Sequence, residues 1–224
     1  MLIFILTESA LELVPKKIAN HPSIRKHAAR KKKKPGEILL DRTYHHAAMR
    51  RLAGAEKRGR PDIAHITLLQ VLGTPLNMSG MLKTYLHTAA DYVIEIDSRT
   101  NLPRNYERFV GLMEQLHVQH RVPSKGARLL SIKKATLSEL LNEVQPSKTV
   151  AFSTVGRAKS LQETCEAISG EKNPAVIVGG FPHGHFSADT MALTDEIVSI
   201  HPQALDAWVV ASRIIYEYER AIGL

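Results

Sequence analysis

The sequence predicts an α/β protein whose sheet is largely parallel. Short apolar runs rich in β-branched residues alternate with longer stretches of helical periodicity, the pattern of strands joined by crossover helices. No internal repeat interrupts this alternation, and the one low-complexity segment is a lysine run at 30–34. The chain has 224 residues, 44% of them apolar, which suffices for a large core.

In chain order, Leu2–Leu6 is short, apolar and partly β-branched, and predicts a buried strand. Thr7 or Ser9 offers an N-cap for a helix through Leu11, Leu13 and Ile18, which His21-Pro22 breaks. A second helical stretch reaches the lysine run and ends at Pro35-Gly36. Glu37–Leu40 predicts a short strand, and Tyr44–Leu52 a short helix or turn. Gly59-Arg60-Pro61-Asp62 predicts a loop, followed by a helix from Ile63 through Leu68, Leu69 and Leu72. Tyr92–Ile96 alternates like a strand, Leu102-Pro103-Arg104 is a loop, and Tyr106–Val118 has helical spacing through Phe109, Leu112, Met113 and Leu116. Lys148–Phe152 and Ala175–Val178 are strands of the buried type, with a Glu-rich helix from Lys159 to Ile168 between them. Ile197–Ile200 is a last short strand. The chain closes on a helix whose apolar stripe reads Leu205, Trp208, Val209, Ser212, Ile215 and Tyr216.

Charge is unevenly placed. The formal net charge is +8, and residues 21–62 alone carry thirteen Lys and Arg against four acids, net +9. Residues 63–144 are net +2, and 145–224 are net −3. A concentrated basic stretch is the electrostatic footprint of a polyanion-binding surface. For Arg30-Lys31-Lys32-Lys33-Lys34 alone, a solvated loop explains the charge equally well. Its neighbours His21, Arg25, Lys26, His27, Arg42, His45, His46, Arg50, Arg51, Lys57, Arg58 and Arg60 favour the binding surface. The segment has few large apolar residues, which argues against a membrane-surface helix. The N-terminal apolar run is too short for a signal-peptide core or a membrane span, and Cys165 is the only cysteine. A soluble intracellular protein without a disulfide framework is expected.

Val178-Gly179-Gly180-Phe181-Pro182-His183-Gly184-His185-Phe186 puts glycines directly after a buried strand, where backbone can approach a ligand. A plain Gly/Pro turn reads the same way. The spacing is neither GxGxxG nor a phosphate loop, so a dinucleotide site and a P-loop are unsupported. Eleven histidines form the close pairs His45-His46, His117/His120 and His183/His185, none with a cysteine or an HExxH pattern, so no metal site is expected. Cys165 falls in an amphipathic helix and reads as a buried small hydrophobe. Arg60 and Asp62 flank a proline, an arrangement that suits a surface ion pair as well as a site. Arg104 and Arg108, four apart at the start of a helix, should share one face.

Several segments together resemble one family. They are Leu39-Leu40-Asp41-Arg42-Thr43-Tyr44-His45-His46, Arg60-Pro61-Asp62-Ile63-Ala64-His65, Gly73-Thr74-Pro75-Leu76-Asn77, Pro103 through Met113, the Gly179–Gly184 loop and Val198-Ser199-Ile200. In this order over nearly the whole chain they resemble the small-subunit rRNA pseudouridine-N1 methyltransferases, the Essential-for-Mitotic-Growth or nucleolar essential protein family, in an archaeal form. The resemblance implies a SPOUT-type parallel sheet flanked by helices, with a C-terminal trefoil knot, in a homodimer. It implies one SPOUT domain over 1–224 with a basic RNA-binding extension around 21–62. The implied activity is transfer of a methyl group from S-adenosylmethionine to N1 of a pseudouridine in small-subunit rRNA. The implied partners are that rRNA and a second copy of the chain, with room for ribosomal assembly proteins and no membrane, in the cytoplasm. An rRNA-binding assembly factor whose methyl transfer is secondary or absent is the alternative.

Carried over by position, the resemblance implies cofactor contacts from Phe152, Ser153 and Thr154, from Gly179, Gly184 and His185, and from Ile200, His201, Pro202, Gln203, Ala204 and Leu205. Ile200 and Leu205 would wall the adenine slot. The sequence departs from the commoner family loop at Phe181-Pro182-His183. For RNA the implied residues are Arg60, Asp62, Arg104 and Arg108, with Asn101 replacing an arginine of some members and Arg99 two residues away. Arg60 and Asp62 would also be the catalytic pair. Asp62 would either take the proton from the base nitrogen or hold Arg60 in place.

Overall fold

The computed structural model describes residues 1–50 and 52–224, so Arg51, counted above with the basic residues, lies outside the described residues. Eight strands form one sheet in the order β4-β5-β3-β2-β1-β7-β6-β8. β1 (Leu2–Ser9), β2 (Leu82–Thr88), β7 (Ala175–Gly179), β6 (Thr149–Ala158) and β8 (Glu196–Ser199) run parallel to their neighbours. β3 (Tyr92–Ile96), β5 (Leu130–Lys134) and β4 (Arg121–Val122) extend this core antiparallel from β2. The expected parallel sheet is thus the half of a mixed sheet that contains the glycine-rich loop.

Side-chain alternation along β1 sorts the core. Leu2, Phe4 and Leu6 face a large cluster with α3 (Pro61–Leu72), α5 (Tyr106–Gln119), α7 (Leu161–Ser169) and α9 (Ala207–Ala221). Ile3 and Ile5 face a smaller cluster with α6 (Leu137–Val144) and Phe186, flanked by α8 (Ala188–Ala192). The two periodicities of strand and helix account for both layers. A third cluster, of Val14, Ile18, Ile24, Ala28, Ile38, Leu40, Ala48, Met49 and Leu52, lies within the first quarter of the chain. It joins α1 (Pro22–Arg30) to α2 (Arg42–Met49), so the basic segment is folded around its own apolar centre. The short α4 (Pro75–Met78) leads into β2.

Several expectations are corrected. No helix follows Leu6, because β1 continues to Ser9 and a 3-10 turn at Lys16–Ile18 is the only helical piece before α1. Tertiary partners hold that backbone: the Ala10 amide donates to the Gly180 carbonyl, Val14 to Ile38, and Leu40 to Glu12. The expected strand Glu37–Leu40 reduces to a single bridge, Leu39 to Leu13. α3 starts at Pro61, so Asp62 lies in its first turn and Arg60 at its cap. Asn105 caps α5, so Arg104 precedes the helix and does not share its face with Arg108. In α9 the buried apolar positions are Ala207, Ala211, Ile214, Ile215 and Tyr218, whereas Tyr216 is 59% exposed. Strands β2, β4 and β5 and helix α6 had no counterpart in the sequence reading.

The lysine run is only partly solvated. Lys31 and Lys33 both reach the carboxylate of Glu114 in α5, at 2.8 and 2.7 Å, and the Leu39 amide donates to it at 3.0 Å. Burial pushes the Glu114 carboxyl up, but the two ammonium groups and the amide outweigh it and leave it below the ordinary carboxylate value. Two lysines therefore fasten the basic segment to the sheet layer, while Lys32 and Lys34 remain exposed.

Candidate functional site

The parallel strands β6, β7 and β8 end on the same side, and the loops that follow them enclose a cavity of about 400 Å³. Open α/β sheets bind ligands at the carboxyl ends of their strands. The first wall is Phe152, Ser153 and Thr154, where β6 bends. Val198 pairs with both Phe152 and Arg157, so the four residues between them bulge around β8. Gly156 permits this, since a Cβ there would lie 2.6 to 2.7 Å from the backbone of Ile197 and Val198.

The second wall is the glycine-rich loop. Gly179 and Gly184 line the cavity together with Phe181, Pro182, His183 and His185. A Cβ on Gly179 would meet the Phe181 ring at 2.9 Å, and one on Gly180 would come within 2.8 Å of the Ser9 Cα. Gly180 is therefore required by its approach to fixed backbone, whereas a side chain at 179 would displace the Phe181 ring. The third wall is the β8–α9 connection, with Ile200, His201, Gln203, Ala204 and Leu205 on the cavity. Pro202, expected among them, is exposed and off the wall. The His201 ring accepts the Gln203 amide at 3.1 Å, which makes this connection a tight turn.

Arg60 comes to the same cavity from the basic segment. Its amide donates to the Ala10 carbonyl, and the Ala10 amide in turn donates to Gly180, so one residue beyond β1 ties Arg60 to the glycine loop. The guanidinium binds both Asp62 oxygens, Nε to Oδ1 at 2.8 Å and Nη2 to Oδ2 at 2.7 Å. Asp62 strengthens the Arg60 charge most, and Asp206 and Asp41 add to it. Asp62 itself is not on the cavity wall, whereas Asp206 is. Asp206 stands at the N-cap of α9, and its side chain makes no capping bond.

Asp41 caps α2 and accepts the Tyr106 hydroxyl at 2.5 Å. Burial first, and then Asp41, drive the Tyr106 phenol far above its ordinary value, so it stays a donor. This bond, with His65 Nε2 at 2.7 Å from the Pro103 carbonyl, sets the start of α5 beside α3. Arg104 and Arg108 flank it on exposed surface, and Asn101 is exposed as well. Arg99 is spent on Asp97 through two bonds of 2.8 and 2.9 Å. The cavity-lining residues that the sequence reading missed, Asp206 and Trp208 foremost, sit at the head of α9. An uncapping acid beside a lone tryptophan was their one visible signal.

The EMG1/NEP1 methyltransferase family model matches residues 4–219. The chain belongs to that family. Among its relatives, a protein of Thermococcus sibiricus named ribosomal RNA small subunit methyltransferase Nep1 is 46% identical over 222 residues, 99% of each chain. One of the same name from Pyrobaculum islandicum is 45% identical over the full length of both. The crystal structure of Archaeoglobus fulgidus Nep1 bound to S-adenosylhomocysteine superposes with a TM-score of 0.89, at 37% identity and 99% coverage of both chains. The EMG1/NEP1 fold therefore spans the whole described chain. No helix among the described residues is long and apolar enough to cross a membrane.

Proposed function

We propose that the protein methylates N1 of a pseudouridine in small-subunit rRNA, with S-adenosylmethionine as donor. The observation that carries this reading is the cavity at the carboxyl ends of β6, β7 and β8, with Arg60 of the basic segment in its wall. Donor pocket and polyanion surface meet at one residue. The relatives' name and the S-adenosylhomocysteine bound in the Archaeoglobus protein support the choice of donor and of RNA.

The cavity fits the donor. Its size lies within the range of roughly 300–1,000 Å³ typical of small-molecule sites. Phe152, Ile200 and Leu205 supply apolar walls suited to adenine, and the glycine loop brings backbone amides and carbonyls close. When bound, S-adenosylmethionine supplies an electrophilic methyl group. The chain then has to align the acceptor nitrogen and exclude water. Arg60, held rigidly by Asp62, binds the base or its phosphate at the rim. Arg104 and Arg108 hold the flanking backbone, Asn101 lies on the same approach, and a base splayed out of its loop enters the cavity. N1 must release a proton, and two carboxylates, Asp62 and Asp206, lie within the field of Arg60 to take it.

The finer architecture follows from the same reading. The C-terminal part of the sheet carries a trefoil knot of the SPOUT type. The single domain carries a basic RNA-binding extension around 21–62 with its own apolar cluster, acts as a homodimer, and works in the cytoplasm on ribosome precursors. Mapping methylated pseudouridine in rRNA from cells with and without the gene tests the proposal. One site should lose its methyl group when the gene is deleted, and unchanged rRNA would refute it. Calorimetry with S-adenosylmethionine separates this enzyme from a pure assembly factor, which would give no heat.

A further inference from the structure

Glu8 is a non-glycine residue of β1 with left-handed backbone, φ 51°. Such a conformation is costly and persists where surrounding contacts demand it. Here it turns the carboxylate toward the glycine-rich loop. One oxygen accepts the Ser187 amide at 2.7 Å and the other meets Lys57 Nζ at 3.3 Å. Burial pushes the Glu8 carboxyl up, but Ser187, Thr190 and Lys57 together hold it below its ordinary value, so the carboxylate is ionised at neutral pH.

Lys57 also reaches the loop itself. It donates to the His185 carbonyl, its ammonium stands 4.5 Å from the centroid of the Phe181 ring, and its Cε lies 3.1 Å from where a Gly184 Cβ would be. Gly184 has φ 88°, so its conformation already requires glycine. Phe181, Gly184 and His185 all line the donor cavity. Lys57 itself belongs to the basic segment, in the 3-10 turn Ala55–Lys57. The next residue, Arg58, is clamped to Glu12 by two bonds of 2.7 and 2.6 Å. This lysine therefore has no free ammonium for phosphate, unlike its exposed neighbours in the same segment.

We propose that Lys57 and Glu8 are positioning residues that hold the 181–187 loop against the donor cavity and so couple the basic segment to cofactor binding. The inference rests on the donor reading above. Neither residue touches the methyl donor in this account; both act through the loop.

The test compares Lys57→Met, Glu8→Gln and the double variant with the wild-type full chain. S-adenosylhomocysteine binding is measured by calorimetry, and amide exchange is followed across 181–187 without ligand. Each single variant should weaken S-adenosylhomocysteine about tenfold, the equivalent of one charge-assisted hydrogen bond. The double variant should lose less than the two single losses combined, since both single variants break the same Glu8–Lys57 bond while each also removes a loop contact of its own. Loop amides should exchange faster in all three, while amides of β1 and β7 keep their protection, and Lys57→Arg should restore much of the affinity. Unchanged affinity in Lys57→Met, or additive losses in the double variant, would overturn the proposal. If the wild type binds no S-adenosylhomocysteine, the donor reading fails. Amide exchange then decides for the latch alone, and unaltered loop exchange would overturn it.

Discussion

Asp62 and Asp206 differ in what their oxygens already do. Both oxygens of Asp62 accept from Arg60, so its bonds are committed to orientation. Asp206 lines the cavity with a carboxylate that caps nothing. Asp62→Asn should therefore weaken RNA binding while leaving the rate of bound complexes at high pH near wild type. Asp206→Asn should lower kcat at neutral pH and recover as hydroxide replaces the missing base. Single-turnover rates between neutral and high pH separate the two. A rate loss in Asp62→Asn that persists with RNA binding intact would reverse the assignment. At Glu114 the consequence is stability. Removing its charge in Glu114→Gln strands Lys31 and Lys33, and a loss of about 2 kcal/mol is expected, discounted because both lysines are partly exposed. The folded carboxyl titrates below its unfolded value, so its contribution is complete above the ordinary carboxylate range. It is lost as pH falls through the folded pKa. Urea unfolding of both proteins across that range should show curves that converge in acid.

Helices α1 and α2 are joined by a buried histidine pair. His27 Nδ1 lies 2.9 Å from His45 Nε2, and His45 Nδ1 accepts the Asp41 amide at 3.0 Å. With that acceptor role fixed, His45 carries its proton on Nε2 and donates to His27, so both rings must be neutral. Burial and the facing His27 lower the His45 pKa to about 4, and burial with Lys31 and Arg30 lowers that of His27, against the opposite pull of Glu107 and Glu114. A depressed folded pKa gives stability that is complete above about 6.5, the unfolded histidine value, and is lost progressively as pH falls toward about 4. Amides of α1 and α2 should lose protection in that window before those of β1 and β7. Gly156→Ala should be far more damaging than an ordinary Gly→Ala change, because the added Cβ strikes β8 backbone at 2.6 Å. A melting temperature within a few degrees of wild type would show that β6 does not bend as described.

Elements with a single strong period, such as α5 and β3, and the continuous apolar run of β7 were legible in the sequence. β2 was hidden by Lys83, Thr84 and His87, polar residues that sit in a central strand. The missing helix after Leu6 shows tertiary hydrogen bonds overriding a local cap signal. The glycine-rich loop was legible as a candidate ligand site from its place after a buried strand, but the other two cavity loops were legible only through family motifs, because the spacing of Phe152, Gly179 and Ile200 says nothing of their convergence.

For the molecule as a whole, the net charge of +9 in residues 21–62 now has structure. Part of it is spent internally, by Lys31 and Lys33 on Glu114, Lys57 on Glu8 and Arg58 on Glu12. Among the described residues, Arg25, Lys26, Lys32, Lys34 and Arg50 stay exposed, as do Arg104 and Arg108 outside the segment. RNA affinity should fall linearly on a log–log plot against salt, and Arg108→Ala should lower the slope by about one contact. On the proposed function, this surface delivers a pseudouridine to a methyl donor. The most direct measurement incubates the protein with methyl-labelled S-adenosylmethionine and a small-subunit rRNA hairpin containing either pseudouridine or uridine at one position. Label should appear on N1 of the pseudouridine and none in the uridine hairpin. Equal labelling of both hairpins, or no transfer to either with the donor bound, would contradict the proposed function.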